Sequence, residues 1–247
     1  MSLSMKNQSR LIWPLIKVCG IQSPEEGILA LSCGANTIGL LVGLTHKAED
    51  EIDVDRAAKI CRAAHEHFSR ARVVLVTHLV NYKEVTKFAE FIGVDAVQIH
   101  GDMSVSDVKL LRTTLPKVEL FKTVHIENNK NVTAQSVIAY AQNYEPYVDG
   151  FLTDSKSIDS DGQLRIGGTG RRHDPIIGRM LVEAFPNKPV ILAGGLNGEN
   201  AAQAVREIHP AGIDANSGLE NPDGSKNAEK ILQFASVGAV CSCKTSF

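Results

Sequence analysis

The sequence predicts an α/β fold of the TIM type, a (β/α)8 barrel with parallel strands. Three observations carry that prediction. Short apolar runs alternate with segments of helical periodicity along nearly the whole chain. The runs are rich in Val, Ile and Leu and mostly too short for helices, which is the pattern of strands buried on both faces and therefore parallel. The chain has 247 residues, and one such barrel takes about 250.

In chain order the expected strands are Leu15–Cys19, Thr37–Val42, Val73–Thr77, Ala96–Ile99, Val118–Val124, Val148–Thr153, Pro189–Leu192 and Gly212–Ala215. After the first, Ser23 can cap a helix, Pro24 suits its first position, and Glu25 and Glu26 favour the positive end of its dipole. Gly34 is a suitable stop. Val54, Ala57, Ala58, Cys61, Ala64 and Phe68 recur at helical spacing and make one apolar face. Similar punctuation recurs after Gly101, at Asn197 and at Ser225. The polar stretch from Ser155 to Ile166 reads as a loop that could act as a mobile lid. Counting gives about eight strand–helix units, the number that closes a barrel. An open doubly wound sheet is the alternative, but Gly20-Ile21-Gln22-Ser23 lacks the glycine-rich turn typical after its first strand. Residues 1–10 read as a disordered tail or an expression scar, and residues 11–247 as a single barrel domain.

Composition narrows the function. A net charge of −2 and a pI near 6.4 argue against a nucleic-acid partner. The apolar stretch Leu11–Ile16 is too short for a signal-peptide core or a membrane span. Five cysteines at irregular spacing do not make a disulfide framework, so a reducing cytoplasm is expected. What remains is a small-molecule partner, and a monomer or homodimer.

In a barrel the reactive groups lie at the C-terminal strand ends and the loops beyond. Those positions hold Cys19, His46, Lys47, His78, His100, His125 and Asp154, with three glycine-rich turns: Gly167-Gly168-Thr169-Gly170, Ala193-Gly194-Gly195 and Asn216-Ser217-Gly218. Glycine lets backbone N–H groups approach an anion with no Cβ in the way. Two of the turns follow the last two expected strands, where such barrels commonly hold a phosphate. A phosphorylated ligand is the expectation. Cys19 reads either as core packing or as a base, in which case Lys17 on the same strand face would favour its thiolate. Asp154 follows the apolar Phe151-Leu152-Thr153; it reads as an acid whose pKa burial would raise, or as a cap. His78, His100 and His125 end three neighbouring strands and could converge on zinc, but a one-residue register error reverses each side chain. The expectation is no metal. His65 and His67 read as solvated surface, and Cys241 and Cys243 carry no metal pattern. Arg171, Arg172 and His173 read equally as solvated surface or as helpers of an anionic ligand.

Taken together, several stretches resemble the phosphoribosylanthranilate isomerase family. They are Lys17-Val18-Cys19-Gly20, Gly34-Ala35-Asn36-Thr37-Ile38-Gly39, Val97-Gln98-Ile99-His100-Gly101, Leu152-Thr153-Asp154-Ser155, Gly167-Gly168-Thr169-Gly170, Ile191-Leu192-Ala193-Gly194-Gly195-Leu196 with Glu199-Asn200, and Asp214 through Ser217-Gly218-Leu219-Glu220 with Gly224-Ser225-Lys226. The resemblance implies a ribulose-phosphate-binding barrel without cofactor or metal, acting in tryptophan biosynthesis. Its reaction is an Amadori rearrangement of an aminoaldose to an aminoketose. It implies Cys19 as general base, Asp154 as general acid, and Gly168, Thr169, Gly170, Gly194, Gly195, Ser217 and Gly218 as phosphate-binding. The chain also departs from the family. The usual Ser-Pro-Arg after the second strand is replaced by Gly43-Leu44-Thr45-His46-Lys47-Ala48-Glu49-Asp50, leaving His46 or Lys47 to meet the substrate carboxylate. His173-Asp174-Pro175 stands where the family has Asp-Trp, and Thr77-His78 ends the third strand unusually. An isomerase-related barrel that acts on, or merely binds, a different phosphosugar is the alternative. A metal-dependent lyase or hydrolase using His78, His100 and His125 is a further one.

Overall fold

A computed structural model describes residues 14–45, 48–127, 133–158, 164–166 and 175–238. Strands β1 (Leu15–Val18), β2 (Thr37–Leu41), β3 (Arg72–Thr77), β4 (Ala96–Ile99), β5 (Glu119–Glu127), β6 (Gly150–Ile158), β8 (Val190–Leu192) and β9 (Gly212–Ala215) are parallel neighbours in the order β5-β4-β3-β2-β1-β9-β8-β6. A further β5–β6 pairing closes the ring. Helices α1 (Pro24–Ser32), α2 (Val54–His67), α3 (Tyr82–Ile92), α4 (Val105–Thr114), α5 (Ala134–Tyr144), α6 (Pro175–Ala184), α7 (Ala201–Ile208) and α8 (Ala228–Gly238) fall between and after the strands. The barrel expected from the alternating runs is the fold observed.

The differences have local causes. The described residues of the polar segment expected as a loop are strands instead. β6 continues through Ile158, and β7 (Leu164–Ile166) pairs antiparallel with it, with Lys156 opposite Ile166 and Ile158 opposite Leu164. In β7 the apolar Leu164 and Ile166 flank Arg165, a strand period too short to stand out in a polar segment. β3 begins one residue earlier than expected, at Arg72. Its buried guanidinium is neutralised 3.1 Å from Glu119, so a charge fits inside a strand. His65 is not simply solvated. Its Nε2 lies 2.8 Å from Asp95, which holds its pKa up at about 10.

Two apolar layers follow from the period-2 alternation. Val18, Ile38, Leu75, Val97, Leu120, Phe151 and Ile213 face outward against the helices. Leu15, Val74, Val76, Ala96, Phe121, Leu152 and Ile191 fill the interior. Cap chemistry sets the helix starts: Ser23 Oγ accepts from Glu26 N at 3.2 Å and Asp53 Oδ1 from Arg56 N at 2.7 Å. α1 stops at Gly34, whose φ of 100° suits glycine alone.

Candidate active site

The alternation that buries Leu15 inward also turns Lys17 and Cys19 inward, and the one that buries Leu152 inward does the same for Asp154. Cys19 extends the β1–β9 ladder, its N–H donating to Ala215 O at 2.9 Å. Cys19 and Asp154 both line a cavity of about 260 Å³ at the C-terminal end of the strands, with β9 and β8 standing between β1 and β6. Gly194, Gly195, Ser217 and Gly218 line the same cavity, as do His78 and His100. Asp50, Gln98, Asp214 and Asn216 join them; Asn216 belongs to a glycine-rich turn expected at the site, while the other three carry no role of their own in the sequence reading. His46, Lys47, Gly168, Thr169, Gly170, Arg171, Arg172 and His173 lie outside the described residues, as do Cys241 and Cys243.

On the β1 side, Lys17 and Asp214 are direct partners across the β1–β9 pair. Their side chains meet at 2.8 Å, both buried. Burial pulls the Lys17 ammonium down, but Asp214 and Cys19 outweigh it and its pKa is raised. Gly39 on β2 makes room for this group: a Cβ there would stand 2.8 Å from Cys19 Sγ and 3.0 Å from Lys17 Nζ. Lys17 does draw the thiol towards the thiolate, as expected. Burial and the carboxylates of Asp214 and Asp50 outweigh it, and the Cys19 pKa is pushed up to about 11. The resting group is therefore a thiol.

On the β6 side, Asp154 sits directly across from His125 in the β5–β6 register. Its Oδ2 is 3.5 Å from His100 Nε2 and 4.0 Å from His125 Nδ1. Burial, reinforced by His125, His78, Lys122 and Lys17, holds His100 well below the usual histidine range. It is a neutral imidazole. His78 stacks on it at 5.0 Å and His125 packs edge-on at 4.9 Å. Strand register therefore does bring the three histidines together. Behind them, buried Lys122 donates to Gly101 O at 2.9 Å and to Thr123 O at 3.0 Å, fixing the turn that carries His100. A lysine inside an apolar strand signals such a cage, but sequence alone does not say which carbonyls it meets.

The cavity mouth is built for backbone donors. Gly194 and Gly195 have φ of 93° and 66°, and among the described residues their amides donate no backbone bond. Asn200 Nδ2 donates to Gly195 O at 2.9 Å, and Asn197 Oδ1 accepts from the amides of Glu199 and Asn200. These contacts hold the loop in its turn. A Cβ on Gly218 would overlap the carbonyl oxygen of Leu196. Beside it, Lys226 Nζ bridges Asn216 at 2.7 Å and Glu220 at 2.6 Å, and Asn216 donates to Asp50 at 2.6 Å. Two buried cations, Lys17 and Lys226, thus balance the carboxylates of the wall.

The family model described as N-(5'phosphoribosyl)anthranilate (PRA) isomerase matches residues 16–237. N-(5'-phosphoribosyl)anthranilate isomerase 2 of Methanosarcina mazei is 38% identical over 219 residues, covering 89% of this chain and 91% of that one. Among solved structures, phosphoribosyl anthranilate isomerase from Thermotoga maritima superposes with a TM-score of 0.73 at 24% identity, over 91% of this chain and 98% of its own. A phosphoribosyl anthranilate isomerase in complex with reduced 1-(o-carboxyphenylamino)-1-deoxyribulose 5-phosphate superposes with a TM-score of 0.69 at 22% identity, over 91% and 98%. With the family model spanning nearly all of the barrel and a relative of that identity over most of both chains, this protein belongs to the N-(5'-phosphoribosyl)anthranilate isomerase family.

Proposed function

We propose that this chain is a working phosphoribosylanthranilate isomerase of tryptophan biosynthesis, converting an aminoaldose phosphate to the aminoketose by acid/base catalysis without a cofactor. The observation that carries the reading is one cavity with Cys19 on one side, Asp154 on another and glycine-rich turns at its mouth. Asp154 protonates the ribose ring oxygen, and the ring opens to a protonated Schiff base. The Cys19 thiolate, its proton released to solvent once the cationic Schiff base stands beside it, then removes the proton from C2, and the enolamine tautomerises to the ketone. Each placed proton transfer contributes about 10²–10⁴-fold. A thiol with a pKa of about 11 is a strong base once ionised, and the cationic Schiff base beside it favours that ionisation.

The amides of Gly194, Gly195, Ser217 and Gly218 grip the phosphate, joined by Gly168, Thr169 and Gly170, so that remote binding energy orients C2. His46 or Lys47 meets the substrate carboxylate, although lysine cannot copy a planar bidentate fork. Free Cys19, Cys33 and Cys61 suit a reducing cytoplasm. The test is to supply purified chain with phosphoribosylanthranilate and follow loss of substrate fluorescence. Saturable turnover supports the proposal. A folded chain that binds sugar phosphates but turns nothing over moves the assignment to a different phosphosugar.

A further inference from the structure

We propose that His100, His125 and Asp154 form a binding site for one first-row divalent cation of the zinc class, and that filling it switches off the acid half of the reaction. One donor atom from each of His100, His125 and Asp154 lies within 4.8 Å of the others, and His100 Nε2 and His125 Nδ1 face the same Asp154 Oδ2. Zinc bonds to nitrogen and oxygen at about 2.0–2.1 Å, which puts tetrahedral ligands about 3.4 Å apart. The pair at 3.5 Å already meets that spacing, and the pair at 4.0 Å needs only a small side-chain movement. His125 and Asp154 lie opposite each other on paired strands, and His100 directly follows β4, so the frame is rigid.

The surrounding contacts aim the nitrogens. His125 Nε2 is 3.0 Å from the carbonyl oxygen of His100. A carbonyl only accepts, so Nε2 carries a proton, and in the neutral ring, the form that binds a metal, Nδ1 presents its lone pair towards Asp154. His100 Nδ1 is 3.3 Å from the Gln98 amide and 3.3 Å from Thr123 Oγ1. Gln98 Oε1 is buried without a hydrogen-bond partner. Turning that amide, which leaves its shape unchanged, lets Oε1 accept from both His100 Nδ1–H and the Thr123 hydroxyl, with the amide NH2 taking the buried position that Oε1 leaves. His100 Nε2 then also presents a lone pair to Asp154. Two imidazole nitrogens and a carboxylate oxygen suit Zn²⁺ or Co²⁺ over Mg²⁺ or Ca²⁺. His78 is not a ligand, because its Nδ1 accepts from Thr45 N at 3.3 Å. His100 and Asp154 line the cavity, so the fourth position opens to water or to a substrate oxygen.

A cation on Asp154 Oδ2 takes the place of the proton that Asp154 delivers to the ring oxygen. That consequence rests on the acid role proposed above; the binding itself does not. The experiment uses the full chain, stripped of metal with a chelator and titrated with Zn²⁺ and with Co²⁺. Stoichiometry is read by equilibrium dialysis, coordination by the cobalt spectrum, and rate by the isomerase assay. The expected result is one equivalent bound, tetrahedral visible bands without a near-ultraviolet thiolate band, and inhibition reversed by chelator. His125→Asn and Asp154→Asn should each weaken binding at least about tenfold, while Cys19→Ser and Cys61→Ser leave it intact. No binding, a strong thiolate–cobalt band, or binding that survives His125→Asn would overturn the site. Should His125→Asn not fold, the wild-type cobalt spectrum decides. One equivalent bound to a chain that isomerises equally fast with and without the cation would overturn the switch. Binding as described to a chain with no metal-free turnover upholds the site and points the failure at the proposed function.

Discussion

Cys19 illustrates how burial and charge compete over a single atom. Lys17 stabilises the thiolate, but burial, Asp214 and Asp50 outweigh it, so the thiol titrates near 11. The sign is that of an acid with a raised pKa: the neutral thiol prevails at physiological pH, and the nucleophilic thiolate grows only in alkali. Alkylation of Cys19 by iodoacetamide should therefore be slow at neutral pH and climb steadily towards pH 11. Lys17→Met should push the midpoint higher still, and a plateau reached near neutral pH would show the balance to be wrong. For turnover, Cys19→Ala and Asp154→Ala should each reduce kcat by about 10²–10⁴-fold with little change in KM. Rates like wild type would remove their roles. Gly39→Ala should also lower kcat, because its Cβ would press on Cys19 Sγ and Lys17 Nζ. The motif containing Gly39 is readable in the sequence, but its contact is not, since it appears only once β1 and β2 pair across α1.

Among the elements, the eight parallel strands were legible within a few residues, because a buried parallel strand is a near-continuous apolar run. Directions inside them were less so. Lys17 and Asp214 are 197 residues apart in sequence, and only the β1–β9 register makes them partners. β7 is not legible because its alternation is carried by few residues. The β8–α7 and β9–α8 loops should act on binding more than on chemistry. Gly218→Ala, whose Cβ would meet backbone at Leu196, should raise KM for the phosphorylated substrate at least about tenfold and leave the Cys19 pH profile in place; an unchanged KM would displace the phosphate from this loop. At the opposite end of β3, Asp95 accepts from Val73 N at 2.9 Å and pairs with His65 at 2.8 Å. Asp95→Ala should cost about 1–3 kcal/mol, the penalty of an unmet buried amide. The His65 pKa is raised from 6.5 to about 10. Its contribution is thus fully present below pH 6.5 and lost as pH rises through 10. Melting curves of wild type and His65→Ala should converge over that window, and a gap that widens instead would contradict the pairing.

At the scale of the molecule, the N-terminal face carries ion pairs such as Arg72–Glu119 and His65–Asp95 that hold strands and helices together. The C-terminal face carries the cavity and its left-handed glycine turns. That division lets the site keep buried charges and left-handed turns, because stability comes from the apolar layers below it. The class of fold and the identity of Cys19 and Asp154 as candidates were legible because runs and motifs are local in sequence. The supporting residues Asp50, Gln98 and Lys122 were not, because their significance comes from neighbours that only folding brings near. Co-crystallising the chain with a reduced carboxyphenylamino-deoxyribulose phosphate reads the whole arrangement at once. The expected result is the phosphate on the amides of Gly194, Gly195 and Gly218, and C2 of the sugar within about 3.5 Å of Cys19 Sγ, with Asp154 on the side of the ring-derived oxygen. A phosphate seated elsewhere, or a C2 turned away from Cys19, would contradict it.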